Sequence, residues 1–222
     1  MIRSNVWAVM ALVAQQTQRL RIGTGVAVPG LRLAPVAANG IATINRLAPG
    51  RCFIGLGTGN TAMRMLGHPP AKVAEIKEYI RVVGALLRGE EVDFTLDGVT
   101  HPITFANTDF GYINLEDRIP IHVGGFGPRA QALAGELGDG LITGLPRGGT
   151  ILRSLANVRR GAERAGRSLD DFKVYALVNL LLLEPGETLD SERVIREIGS
   201  GIMVNFDYLV ERWKETGEDP PD

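Results

Sequence analysis

Residues 51–60 read RCFIGLGTGN. Phe53, Ile54 and Leu56 make a short apolar run of strand type, and Gly57-Thr58-Gly59-Asn60 closes it with a loop whose amides few side chains cover. A helical pattern lies on either side. Upstream, Pro35 opens a segment that carries Val36, Ala37, Gly40, Ile41 and Ile44 on one face and stops at Gly50. Downstream, Val73, Ile76, Ile80, Val83 and Leu87 advance in steps of three and four through 71–87, ended by Arg88-Gly89. A strand between two amphipathic helices is the repeating unit of a parallel sheet.

The same alternation extends outward. A helix is expected over 4–18 from Val6, Val9, Met10 and Val13, followed by a strand over 20–28 (LRIGTGVAV) that Pro29-Gly30 turns. Toward the C-terminus a strand over 120–125 leads to Pro128, which opens a helix with Ala130, Leu133, Ala134 and Leu137 on one side. Gly138-Asp139-Gly140 turns into a strand over 140–145, and Ile151, Leu155, Val158 and Ala162 mark the next helix, which ends near Gly166. Residues 172–183 read as a long strand of the buried type, and 190–198 and 202–213 as two helices with Gly199-Ser200-Gly201 between them. Residues 91–114 break the rhythm: short alternating runs around Asp97-Gly98 predict a β-hairpin insertion. Five strands each followed by a helix imply a parallel sheet with right-handed crossovers, either a β/α (TIM-type) barrel or an open doubly wound sheet. A full barrel needs about eight strands, so the expected barrel is incomplete.

Composition narrows the partners. With 45% hydrophobic and 22% charged residues the chain is neither disordered nor fibrous, and one domain over 1–222 is expected. Its 24 basic and 25 acidic residues leave a net charge of -1, which gives no drive toward nucleic acid or an anionic membrane. Small molecules and copies of the chain are the expected partners. Cys52 stands alone, so neither an internal disulfide nor a cysteine metal cluster can form, and the cytoplasm is the expected setting. No run reaches the ~18 apolar residues of a membrane span, and the opening residues lack the cleavage site of a signal peptide.

Parallel sheets carry their working loops at the carboxyl ends of the strands. Three such ends stand out. At Gly23-Thr24-Gly25-Val26 two glycines within a strand mark either a bulge or a close ligand approach. At Gly57-Thr58-Gly59-Asn60 open amides suit an anion or a flat ring, although a structural turn needs the same glycines. Gly57, Gly59 and Ala62 also match the dinucleotide pattern G-x-G-x-x-A, with Glu78 downstream, but Gly67-His68-Pro69-Pro70 would end such a helix after a turn or two. At Gly124-Gly125-Phe126-Gly127-Pro128 the start of a helix offers amides and dipole to a phosphate, or else the glycines serve only a tight connection. His122, inside a strand, reads as a hydrogen-bonded core or lumen residue, and Cys52 as a small core residue. His68 and His101 have no carboxylate at ligand spacing, so no metal site is expected. The nucleophile signature Gly-x-Ser-x-Gly is absent, and no catalytic residue is assigned.

Taken together, 19–26 (RLRIGTGV), 51–59 (RCFIGLGTG), Gly127-Pro128 with Ala134-Gly135-Glu136 and Gly138-Asp139-Gly140, and 162–172 (AERAGRSLDDF) resemble the bacterial luciferase-like monooxygenase family, including its methylenetetrahydromethanopterin reductase-like branch. The resemblance covers nearly the whole chain. It implies a β/α barrel that holds flavin mononucleotide (FMN), or the deazaflavin coenzyme F-420 (F420), at the carboxyl face. It further implies that Thr24, Gly25 and Val26 lie behind the ring, with a non-proline cis bond between Gly25 and Val26. By the same resemblance Gly57, Thr58, Gly59 and Asn60 contact the cofactor, and Gly124, Gly125, Phe126, Gly127 and Pro128 hold its phosphate. Where the deazaflavin branch often has an acidic residue, this chain has Asn60.

Against the family the first two strands and the eighth are missing, so the chain is either a family member with a reduced barrel or, as barrel closure favours, a fragment truncated at both ends. Such a chain is expected to bind cofactor poorly and turn over nothing, and to be a homo-oligomer when full length. The implied function is a flavin- or deazaflavin-dependent oxidoreductase acting on a small organic substrate by hydride transfer or oxygen insertion. Two rivals stay open. A nicotinamide-dependent dehydrogenase on a Rossmann sheet would show a helix starting at Gly59, and a non-catalytic flavin-binding homologue would hold cofactor without turnover.

Overall fold

The computed structural model describes residues 5–144, 151–178 and 180–216. Residue 4 of the predicted first helix, residues 145 and 179 of the predicted strands, and the polar tail at 217–222 lie outside the described residues. The chain divides into two compact units, Met1–Thr143 with Leu152–Tyr175, and Gly144–Ile151 with Ala176–Asp222.

In the first unit α1 (Val6–Gln16) starts where Asn5 Oδ1 accepts from the amides of Trp7 and Ala8, at 3.0 and 3.4 Å. The strand β1 (Ile22–Gly23) follows, then α2 (Ala34–Leu47), with Pro35 in its first turn. Next come β2 (Cys52–Gly57), a short α3 (Asn60–Met65) and α4 (Val73–Leu87). A hairpin of β3 (Val92–Leu96) and β4 (Val99–Ile103) turns at Asp97-Gly98, both with positive φ, as a two-residue turn of this kind requires. The chain returns through β5 (Ile121–Gly124), α5 (Pro128–Leu137), β6 (Gly140–Gly144), α6 (Leu152–Ala165) and β7 (Lys173–Leu177).

The five-stranded sheet has the order β1-β2-β5-β6-β7, which is sequence order with the hairpin set aside. β1 with β2, β2 with β5, and β5 with β6 pair in parallel. A doubly wound sheet reverses its order midway; this one curls in one direction as a half-barrel. The register explains its two faces. Ile54 and Leu56 stand beside Ile121 and Val123 and join the helices in the core, while Phe53, Gly55, Gly57, His122 and Gly124 occupy the other, inner face. Ile41, Ile54, Leu56, Ile76 and Leu141 are fully buried, each contributing about 1.5 to 3 kcal/mol. Asn45, buried in α2, ties down the return from the hairpin by donating to the carbonyls of Asn114 and Asp117 at 3.1 and 2.8 Å.

Helices α5 and α6 meet backbone to backbone. A Cβ at Gly135 would lie 1.9 Å from the Val158 carbonyl oxygen, and one at Gly161 1.8 Å from that of Ala132. Only glycine permits that separation.

The structure departs from the sequence reading in four places. The strand predicted over 20–28 is regular only at Ile22–Gly23, because the cis peptide Gly25–Val26 interrupts its ladder before Ala27 bridges Leu56. The strand predicted over 172–183 is confined to Lys173–Leu177 and is exposed along its length rather than buried; its apolar composition does not supply a covering layer. In the second unit the helices predicted over 190–198 and 202–213 are one, α7 (Glu192–Thr216). It runs through Gly199-Ser200-Gly201, where each glycine costs only about 1 kcal/mol against alanine. Finally, α3 begins at Asn60, the last residue of the predicted loop, and runs to Met65 through a stretch to which the sequence assigns no element.

Candidate functional site at the strand ends

Thr24 anchors the site from below. Its buried hydroxyl donates to the Gly55 carbonyl at 2.7 Å and accepts from the Gly55 amide at 3.0 Å, so it replaces the ladder bonds that the irregular end of β1 gives up. Beyond it lies the cis bond between Gly25 and Val26, at the position the resemblance implied. Val26 then reaches over the inner face: a Cβ at Gly57 would lie 2.7 Å from Val26 Cγ2, and one at Gly124 2.7 Å from Val26 Cγ1. Gly57 and Gly124 are register partners, so one valine side chain spans the ends of two strands cleared of side chains. Positions Gly25 and Gly127 face open space.

After β2, Gly59 takes φ +74° and caps α3; a Cβ there would collide with Val28 Cγ1 at 2.2 Å. Asn60 Oδ1 accepts from Arg64 Nε at 2.9 Å, and the Thr58 carbonyl accepts from the Ala71 amide at 3.0 Å. The helix expected of a dinucleotide fold does begin at Gly59, but it ends at Met65 before Gly67, and the sheet order is not that of a Rossmann fold.

After β5, the Gly125 amide donates to the Ile142 carbonyl at 3.0 Å, Gly127 is the N-cap of α5, and Pro128 is in its first turn. No side chain caps this helix among the described residues, so its dipole and early amides are available to an anion. Phe126 is exposed in the same turn. The structure therefore packs Val26 against Gly57 and Gly124, ties Thr24 to Gly55 next to them, and places the turns at 58–60 and 125–128 at the ends of β2 and β5.

Behind the second turn lies a buried polar chain that the sequence reading missed. Gln131 Nε2 donates to the Phe126 carbonyl at 3.1 Å and to Ser154 Oγ at 3.0 Å; Asn157 Nδ2 donates to Gln131 Oε1 at 2.7 Å, and Arg160 donates to Asn157 Oδ1. Its signal was a glutamine on the helix face where Ala134 and Leu133 are buried. A cleft of about 410 Å³ lies on the outer helix surface between α4, α5 and α6, with Lys77, Arg129, Arg160 and Arg164 on its walls and Glu136 paired to Lys77 at 2.5 Å.

His122 sits on the inner face as expected of a lumen residue, but the hydrogen bond expected of it is absent: neither ring nitrogen has a partner among the described residues. Its neighbours are rings, Phe53 at 5.0 Å and Tyr175 at 4.9 Å. Burial pushes its pKa down to about 4, with the Asp139 carboxylate opposing. Cys52 is a core residue whose thiol is pushed up to about 11 by burial. Among the described residues no three His, Cys, Asp or Glu side chains converge as metal ligands, and no helix is long and apolar enough to cross a membrane.

Known proteins resemble this chain in sequence and fold. A family model described as luciferase-like monooxygenase matches residues 1–216. The F420-dependent glucose-6-phosphate dehydrogenase of Mycolicibacterium fortuitum is 35% identical over 172 residues, 73% of this chain and 50% of that protein. The coenzyme F420-dependent tetrahydromethanopterin reductase of Methanopyrus kandleri superposes with a TM-score of 0.63 at 25% identity, covering 78% of this chain and 54% of that one. The oxygenating constituent of a Pseudomonas putida 3,6-diketocamphane monooxygenase, solved with FMN, superposes with a TM-score of 0.59 at 19% identity, covering 77% and 51%, a likeness of fold. The chain spans about half the length of the curated relatives it matches.

Proposed function

The chain belongs to the luciferase-like monooxygenase family, and on that premise we propose that it forms the cofactor side of an oxidoreductase that binds FMN or coenzyme F-420 at its strand ends. The observation that carries this reading is the Gly57–Gly124 pair packed directly under Val26, with the positions of Gly25 and Gly127 open, beside the uncapped start of α5. In this reading Thr24, Gly25 and Val26 support the ring, Gly57, Thr58, Gly59 and Asn60 edge it, and Gly124, Gly125, Phe126, Gly127 and Pro128 take the phosphate. The chemistry a bound flavin or deazaflavin supplies is hydride exchange, or oxygen insertion when dioxygen takes part. These residues bind, orient and exclude water. The relatives named as F420-dependent favour the deazaflavin, and the substrate is a small organic molecule. We further read residues 1–222 as part of one barrel domain with 91–114 inserted, acting in the cytoplasm as a homo-oligomer, apart from nucleic acid and membranes.

One observation favours a second reading. None of the twelve residues assigned to the ring and phosphate carries an acid or a base. On their own they hold a cofactor without moving protons, as a non-catalytic homologue would. Expression of the chain together with its upstream genomic sequence, followed by absorption spectroscopy of the released chromophore, separates the outcomes. A flavin or deazaflavin band supports the proposal, turnover then excludes the non-catalytic homologue, and a colourless protein that takes up neither cofactor sinks both.

A further inference from the structure

The cleft between α4, α5 and α6 has the size of a small-molecule site. Its volume is about 410 Å³, within the roughly 300 to 1,000 Å³ typical of such sites, and the residues that line it all belong to the first unit. Ala132 and Leu133, both buried, give it an apolar floor, and the side chains of Lys77, Arg129, Arg160 and Arg164 stand around that floor. The carboxylate on its wall, Glu136, is taken by Lys77.

Three guanidiniums therefore share one space without an anion between them. Among the described residues the side chains of Arg129 and Arg164 make no ion pair and no hydrogen bond. Arg160 spends one N–H on the oxygen of the buried Asn157, which holds its head group in place, and keeps its other donors. The arrangement works against the helices that carry it. Arg160 and Arg164 are like charges four residues apart on α6, and Arg129 puts a cation into the first turn of α5, at the positive end of the helix dipole. A surface shaped for stability alone would carry acids at such positions. In a chain of net charge -1, a cleft lined with one sign of charge gathers counter-ions.

We propose that this cleft binds a small organic anion, with an apolar body against Ala132 and Leu133 and a phosphate or carboxylate among Arg129, Arg160 and Arg164. Arginine suits both groups, because its planar fork meets two oxygens at once. The binding groups are side chains of α5 and α6 facing a cavity, on the outer helix surface. The site therefore stands or falls independently of the cofactor reading of the strand ends.

The test uses the ¹⁵N-labelled full chain at low salt, because exposed charges are screened over about 10 Å at 0.1 M. Hexyl phosphate and suberate, a phosphate and a dicarboxylate that each carry an apolar chain, are titrated in separate arms beside inorganic phosphate. Amides within 73–77, 129–136 and 160–164 are expected to shift with at least one of the two, at a lower Kd than inorganic phosphate shows. The tighter of the two arms names the anionic group. Arg129→Gln/Arg164→Gln removes no internal hydrogen bond, so its fold is expected to be intact. It is expected to raise that Kd about tenfold or more, the factor one hydrogen bond to a charged group contributes. Arg153→Gln/Arg159→Gln removes the same charge from exposed positions of α6 outside the cleft and is expected to change the Kd less than about twofold. Equal losses in the two double variants would mean that overall charge, and no built site, attracts the anion, and would overturn the inference. Shifts confined to 57–60 and 124–127 would place the probe at the strand ends and overturn it too, as would a wild type that responds in neither arm.

Discussion

At the scale of single residues, His122 makes the fold sensitive to acid. Burial holds its pKa at about 4, below the ordinary 6.5, while the unfolded chain would protonate at the ordinary value. The stability tied to its neutral form is therefore complete above about pH 6.5, declines between about 6.5 and 4, and is lost below that. The whole effect is on the order of 3 kcal/mol. Urea midpoints measured across this window are expected to fall more steeply for the wild type than for His122→Leu; equal slopes would show that the imidazole is not the group responsible. Gly124 allows a second test. In Gly124→Ala the new methyl meets Val26 at 2.7 Å, and overpacking of this kind costs about 1 to 3 kcal/mol. Val26→Ala in the same chain is expected to restore most of the stability. A double variant no better than Gly124→Ala alone would remove Val26 from the site. The glycines were legible in the sequence because they stand in strand ends where glycine is costly. Val26 was named through the family resemblance, but its packing against both glycines was not legible, since that depends on the register between segments far apart in the chain.

At the scale of elements, the crossing of α5 and α6 is the most demanding contact. Gly161→Ala places a methyl within 1.8 Å of a carbonyl oxygen, and neither backbone can yield without separating the two helices. A loss of about 3 kcal/mol or more is expected in guanidinium unfolding, against less than about 0.5 for Glu163→Ala on the exposed face of α6. Comparable losses for the two variants would mean that the helices slide apart freely. Element identity was largely readable because spacing reports which face meets a core, as in α4, and because Asp97-Gly98 names its own turn. Where it failed, spacing was silent. α3 is too short to show a period, α7 continues through glycines that look like a stop, and the run beginning at Phe172 is apolar without a layer upon it.

At the scale of the whole molecule, β1 and β7 are the edge strands of the sheet among the described residues, and Val174, Tyr175 and Leu177 of β7 are exposed. An unpaired apolar edge strand pairs readily with another chain. Sedimentation velocity is expected to show association that grows with concentration and recedes in Val174→Lys/Leu177→Lys; indifference to those charges would place the contact elsewhere. The direction of the sheet was legible from strict alternation, but its curl was not, because five parallel strands suit a barrel and an open sheet equally until their order is seen. The glycine crossing also governs motion. With no space between their backbones, α5 and α6 cannot fluctuate independently, so their central amides should exchange with deuterium together and slowly, while α3 exchanges early. The turn at Gly125-Phe126-Gly127 is joined to that stiff pair through Gln131, so it is expected to keep one shape on the nanosecond timescale.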